Sequence, residues 1–226
     1  MRLYYYTAKQ WGMKSLWEKR LKIAEYADLN DPFELLPFQQ ADKDARSLLK
    51  KVVDALQTQR HGVLCFSESW QSTLMWAHYG DKHKGMCLGF EIKDNPFLTK
   101  IEYISELLPC PIDITKPLNG VGHQMLETCL NVKYCGWEYE KEHRLRVSLE
   151  EMRDGTYYYQ FNKDMQLREV IIGARSSLSV VDVAEAIGTQ LDADVEIWTA
   201  CPSHKTFSIC KNRALPRTTI SRCNPV

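Results

Sequence analysis

The chain has 226 residues, 29 basic side chains balanced by 29 acidic ones, and a hydrophobic fraction of 44%. A chain of this length buries a substantial core as one domain, and its zero net charge supplies no global field to draw it onto nucleic acid or an anionic membrane. No apolar run reaches the length of a membrane span, and the opening MRLYYYTAKQ lacks the apolar segment of a secretory signal, so a cytoplasmic location without membrane partners is expected.

Leu3 to Tyr6 predicts a short strand, with Thr7 placed to cap a helix that carries Met13, Leu16, Trp17 and Leu21 on one stripe. Leu29 to Pro37, LNDPFELLP, predicts a shaped loop, because Asn and Asp bond nearby backbone and Pro restricts the residue before it. Asp42 to Gln59 predicts a helix with Ala45, Leu48, Leu49, Val52, Val53 and Leu56 facing a core. GVLCFSE, 62 to 68, predicts a buried strand with Ser67 and Glu68 at its mouth, followed by a short helix TLMWAHYG closed by Gly80. A charged turn leads to a strand over Gly85 to Ile92, and beyond Pro109, Pro111 and Pro117 a helix is expected over Gly122 to Val132.

Trp137 to Val147, WEYEKEHRLRV, is the densest block of charge. As a strand it puts Glu138, Glu140, Glu142, Arg144 and Arg146 on one face and Trp137, Tyr139, Lys141, His143, Leu145 and Val147 on the other. Three carboxylates in a row repel one another unless water screens them or a cation, a ligand hydroxyl or an arginine uses them, so the strand is either a wetted face or a site. The last third predicts a strand over Glu169 to Gly173, a helix over Ser179 to Leu191 opened by a Ser179/Asp182 capping box, and strands over Asp194 to Thr199 and Lys205 to Cys210. The domain is expected to end near residue 211, leaving 212–226 as a loose polar tail.

The eight cysteines form no C-x-x-C pair, and most stand in apolar runs such as VLCF and GMCLGF. Reduced thiols in a reducing compartment, with neither a structural disulfide nor bound zinc, are the expectation. His78 offers an acid or base near neutral pH, with a satisfied structural histidine as the competing reading. His83 with Lys82 and Lys84 forms a basic turn that is either solvated or meets phosphate.

LNDPFE at 29–34, CFSE at 65–68, MWAHYGDKHKGMCLGF at 75–90 and WEYEKEHRL at 137–145 resemble, in order, the signature blocks of an uncharacterised bacterial and phage domain family. That family supplies no chemistry. More distantly, YYYT, the amphipathic helix after it and the approach to LNDPFE resemble the start of the ADP-ribosyltransferase-like superfamily, in which an aromatic or histidine-bearing strand opens an NAD cleft. This resemblance implies a serine at the end of a middle strand, here Ser67, and a late-strand glutamate gripping the nicotinamide ribose, here Glu140 or Glu142; depth in the strand and the neighbouring Arg144 rank Glu142 first and Glu140 second. Glu68 follows Ser67 where the superfamily carries threonine or serine, and the first strand has Tyr4, Tyr5 and Tyr6 in place of a histidine.

The chemistry is consistent with those assignments. Nicotinamide departure passes through an oxocarbenium-like state that a carboxylate stabilises. Tyr6 or Tyr79 stacks on a ring, Arg144 forks onto pyrophosphate, and Asn30, Asp31 and Glu34 bring the LNDPFE loop to the same cleft. The expected architecture is α+β, one domain with two packed antiparallel or mixed sheets and flanking helices around a cleft, ADP-ribosyltransferase-like. The expected function is NAD-dependent transfer of ADP-ribose to a protein or nucleic-acid acceptor, or NAD hydrolysis, in a bacterial or phage defence or toxin setting. Two alternatives stand beside it: a metal-dependent nuclease using Asp31, Glu34, Glu140 and Glu142, and a noncatalytic nucleotide-sensing or interaction module.

Overall fold

A computed structural model describes residues 1–58, 60–110, 121–188 and 193–221. The first half contains β1 (Arg2–Thr7), α1 (Lys9–Glu18), β2 (Arg20–Lys22), α2 (Lys43–Thr58), β3 (His61–Ser67), α3 (Thr73–His78), β4 (Met86–Ile92), β5 (Leu98–Lys100) and β6 (Glu102–Ile104). The second contains α4 (Val121–Asn131), β7 (Val132–Tyr134), β8 (Glu142–Ser148), β9 (Met152–Arg153), β10 (Thr156–Gln160), β11 (Met165–Ile172), α5 (Val180–Ile187), β12 (Val195–Pro202), β13 (Ile209–Lys211) and β14 (Thr218–Ile220). Among the described residues the architecture is mixed α+β, built on one nine-stranded sheet ordered β13-β12-β11-β4-β1-β3-β8-β5, with β14 on the flank of β12. Separate three-stranded (β2-β10-β9) and two-stranded (β6-β7) sheets accompany it, where two packed antiparallel or mixed sheets are expected from the sequence.

The two faces of the large sheet differ in chemistry. Alternation places Leu3, Leu64, Phe66, Leu88, Phe90, Leu145 and Val170 on one face, packed beneath Leu16 of α1 and Val183, Ala186 and Ile187 of α5. The pairings Tyr4↔Ser67, Tyr6↔Cys87, Ser67↔Glu142 and Cys65↔Arg144 put tyrosines, two thiols and charges on the other. That second face carries two smaller apolar clusters. One gathers Tyr26, Leu35, Phe38, Leu49, Leu56, Met125 and Cys129, and the other gathers Tyr6, Met75, Trp76, Trp198 and Ile209. The polar site lies between them.

Several local expectations are corrected. Helix α1 begins after Ala8 without a side-chain cap and stops at Lys19, whose φ of 51° is left-handed. The stripe therefore breaks: Trp17 is 67% exposed and Leu21 belongs to β2. Helix α2 starts as Asp42 accepts the Ala45 N–H at 2.7 Å, and Ala45, Leu49 and Leu56 are buried as expected. The Ser179/Asp182 capping box is present, whereas the helix expected to run to Leu191 ends at Ile187, where Gly188 takes a positive φ of 67° that a helix cannot continue; Leu191, Pro111, Pro117 and Cys223 lie outside the described residues. The strand expected from Lys205 begins at Ile209, because Ser203 and Ser208 close a hairpin loop. Within the expected loose tail, Thr218–Ile220 pairs with Val195–Ile197.

The largest correction falls on the charged strand. Cys135–Glu140 is a 3-10 helix, Lys141 adopts φ 47°, and β8 starts only at Glu142. Glu138 is consequently exposed on the helical turn, while Glu140 and Glu142 reach the same point from two different elements.

Candidate functional site

Pairing between β1 and β3 is confined to Tyr4↔Ser67, and at Val63 β3 takes Ala24 as its partner instead. The strands thus part below Tyr4. A pocket of about 270 Å³ fills the opening, walled by Tyr4, Tyr5, Tyr6, Ala24, Val63, Cys65, Phe66, Met75 and Tyr79 and floored by Glu34, Lys133, Glu140, Glu142 and Arg144. Its size lies just under the usual range for small-molecule sites.

The floor is a buried network of three carboxylates and two cations. Lys133, held on β7 by the Tyr103↔Lys133 pairing with β6, places its ammonium 2.7 Å from Glu140, 3.2 Å from Glu142 and 3.2 Å from Glu34. The Arg144 Nε–H donates to Glu142 at 2.8 Å, its Nη2 to both Glu34 oxygens at 2.8 and 3.0 Å, and its Nη1 to the Leu130 carbonyl at 3.2 Å. Tyr79 O–H donates to Glu140 at 2.6 Å and accepts from Asn30 at 3.1 Å. The Glu142 backbone N–H donates to Tyr103 at 2.9 Å, which pins the start of β8.

Three negative and two positive charges leave one formal negative charge uncompensated. Burial opposes the Glu142 charge, but Arg144 and then Lys133 hold that carboxyl down to about 2. Burial raises Glu140 above the ordinary carboxylate value, and Lys133 and Tyr79 only partly offset this. Burial likewise works against the Lys133 charge, yet the three carboxylates raise its affinity for its proton. Cys65, beside Glu142 in the pocket wall, is pushed far up by burial and is a neutral thiol.

The LNDPFE loop delivers its residues by a local device. Asp31 Oδ1 accepts the Phe33 N–H at 2.9 Å, an Asx-type turn, and two residues on Leu35 takes φ 64° with its side chain buried. That geometry drops Glu34 onto Arg144 and Asn30 onto Tyr79. Asp31 itself stays outside the charge network, with Oδ2 unpartnered among the described residues.

The structure therefore brings together Asn30, Glu34, Tyr79, Glu140, Glu142 and Arg144, with Tyr6 on the wall, and sets Ser67, His78 and His83 apart as it does Asp31. Ser67 is buried and donates to the Glu140 carbonyl at 2.6 Å while accepting from the Ser69 N–H, so it fixes the backbone of the carboxylate turn. His78 is exposed and stacks on Tyr139. His83 stacks on Trp76 within a turn where Asp81, Lys82 and His83 all have positive φ. Two expected roles also change. Tyr6 donates to the Ser69 carbonyl and meets Trp76 edge-on, which makes it a wall fixed in place. The Arg144 fork is spent on Glu34 and Glu142, so it positions carboxylates and is not presented to pyrophosphate.

Lys133 was not singled out in the sequence. A lone lysine between Val132 and Tyr134, seven residues ahead of Glu140, was the available signal: a cation flanked by strand-forming residues just before a carboxylate-rich block. Its ammonium stands where the carboxylates of the nuclease alternative would focus a metal, and among the described residues no group of three or more His, Cys, Asp or Glu is arranged to hold an ion. The fold and the site together define a mixed α+β protein with an aromatic-walled, internally ion-paired cleft. Set beside family models, curated proteins and solved structures, the chain matches none of them.

Proposed function

We propose that the cleft between β1 and β3 binds the nicotinamide riboside end of NAD, and that the protein is an ADP-ribosyltransferase-like enzyme or NAD glycohydrolase of the bacterial and phage family its four sequence blocks resemble. The observation that carries this reading is the uncompensated negative charge at the floor of an aromatic cleft. A buried site with one excess negative charge favours a cation, and both the nicotinamide ring of NAD and the oxocarbenium formed as it leaves are cationic. The tyrosine walls supply flat apolar surface for the ring.

Within that reading Glu140 displaces Glu142 as the residue that grips the ribose. Glu142 spends both oxygens on Arg144 and Lys133, whereas each Glu140 oxygen accepts a single hydrogen bond, from Tyr79 and from Lys133, and keeps a lone pair for a hydroxyl. Lys133 and Tyr79 orient the carboxylate. As the glycosidic bond lengthens, nicotinamide leaves with the bonding electrons, and water or an acceptor attacks the opposite side of the sugar carbon. Binding without turnover is a second reading, favoured by the pairing of every carboxylate with a cation of the protein itself.

Nicotinamide release from NAD, measured by mass spectrometry, tests the proposal. Wild type is expected to release it, Glu140→Gln to lose at least about 100-fold in rate, a typical scale for removing one transition-state-stabilising group, and the exposed Glu138→Gln to match wild type. Saturable NAD binding with no nicotinamide would select the second reading, and neither binding nor release would remove both.

A further inference from the structure

At the far edge of the sheet from the cleft, β12 and β13 form a hairpin in which Cys201 and Cys210 are direct cross-strand partners. Their sulfurs lie 3.5 Å apart. Two flanking bonds fix the geometry of the pair: Ser203 N–H donates to the Ser208 carbonyl at 2.9 Å, and Asn212 N–H donates to the Thr199 carbonyl at 2.9 Å. Hydrogen-bonded pairs alternate along an antiparallel ladder, so Cys201 and Cys210, midway between these two, occupy a hydrogen-bonded pair with Cα atoms about 5.5 Å apart. Disulfides span about 4.4 to 6.8 Å between Cα atoms, so the pair lies within bridging range, and closing the bond takes a small inward movement of the two strands because Cβ atoms of a hydrogen-bonded pair stand slightly wide of the disulfide spacing.

Both thiols are partly exposed, unlike the buried Cys87 and Cys129. Cys65, Cys110 and Cys135 are partly exposed as well, so what marks out Cys201 and Cys210 is the thiol that each holds within 3.5 Å of the other.

We propose that Cys201 and Cys210 form a reversible oxidation site, in which a peroxide converts the two thiols into one intrachain disulfide across the β12–β13 hairpin. The Cys210 sulfur attacks a peroxide oxygen, the O–O bond breaks, and a sulfenic acid and one water result. The Cys201 sulfur then attacks the sulfenic sulfur, the S–O bond breaks and a second water leaves. Two thiols are oxidised by two electrons and hydrogen peroxide is reduced to two waters. An exposed disulfide of this kind belongs to the readily reduced class, so a dithiol reverses it.

The hairpin joins the apolar cluster that lies behind the cleft wall, which gives the switch a route to the site. Ile209 N–H donates to the Gln71 carbonyl at 2.9 Å, ahead of α3, and the Ile209 side chain packs in the cluster that holds Met75, Trp76 and Tyr6. Stapling Cys210 to β12 restrains Ile209, the next residue, and with it the seat of α3. The inference stands apart from the NAD reading, because it needs no ligand.

Full-length reduced protein is exposed to hydrogen peroxide at a few equivalents, quenched by alkylation, digested without reductant and mapped by mass spectrometry. The expected result is a 201–210 linked species 2 Da lighter than the two free thiols, a loss of two titratable thiols per chain, and full reversal by dithiothreitol. Cys201→Ser and Cys210→Ser should each abolish the link, and amide exchange at Ile209 should slow in the oxidised protein. A different cysteine pairing, chain-to-chain dimers, or sulfinic acid at these positions without the link would overturn the proposal.

Discussion

The Lys133 ammonium and the Glu140 carboxylate meet at 2.7 Å with both side chains 4% exposed, seven residues apart in sequence and on different elements. Removing one partner of such a buried pair leaves the other charge unsolvated. Lys133→Met strands Glu34, Glu140 and Glu142 around an apolar side chain, so urea denaturation should show a loss of about 3 to 5 kcal/mol. Lys133→Arg, which keeps the charge, should lose less.

The two glutamates should separate in their effects. Glu140→Gln removes the excess negative charge and leaves two carboxylates facing two cations, so stability should change by no more than about 1 kcal/mol in either direction while function falls. Glu142→Gln deprives Arg144 of its principal partner and should cost about 3 kcal/mol. Paired melting curves of the two variants check the contrast, and equal losses would contradict it.

Lys141 holds φ 47° between these glutamates, with its N–H donating to the Glu138 carbonyl and its own carbonyl accepting from Glu68. A left-handed conformation costs a non-glycine residue about 1 kcal/mol or more. Since the Lys141 side chain is exposed, Lys141→Gly should be neutral or stabilising by up to about 1 kcal/mol, and Lys141→Val should be destabilising. Thermal melts of the two proteins provide the measurement.

This one residue also shows where sequence reading stopped. Alternation correctly assigned Glu142, Arg144 and Arg146 to one face and His143, Leu145 and Val147 to the other, because β8 really is a strand from Glu142. Period two cannot register a left-handed residue, so alternation alone extends the strand back through the 3-10 turn. The LNDPFE loop was legible for a better reason: Asn-Asp-Pro carries its own turn chemistry, and Asp31 makes the bond that chemistry requires. Lys133 and Tyr103 were not legible. Each reaches the site through a two-stranded pairing, β6 with β7, that a three-residue strand does not announce. Ser67 was placed correctly at a strand end, but only the fold shows its hydroxyl turned to the Glu140 carbonyl and away from the pocket.

Stability should fall at both ends of the pH scale for identifiable reasons. The folded-state pKa of Glu142, about 2, lies below its ordinary value of 4.5. Its contribution is therefore present above about pH 4.5 and lost as pH falls through about 2. Burial raises Tyr5 from 10 to about 12, so its contribution is present below pH 10 and lost as pH rises through about 12. Tyr5→Phe should flatten the alkaline limb of a stability profile and leave the acid limb unchanged.

The cleft as the NAD site is tested most directly by calorimetric titration of NAD into wild type and into Ala24→Phe. Ala24 lines the pocket and pairs with Val63 through backbone alone, so a ring at this position fills the opening between β1 and β3 while the bridge can persist. The account predicts saturable binding to wild type and at least about a tenfold weakening in Ala24→Phe, equivalent to a loss of about 1.4 kcal/mol, with the cooperative melt retained. Equal affinity in the two proteins, or no heat in either, would contradict it.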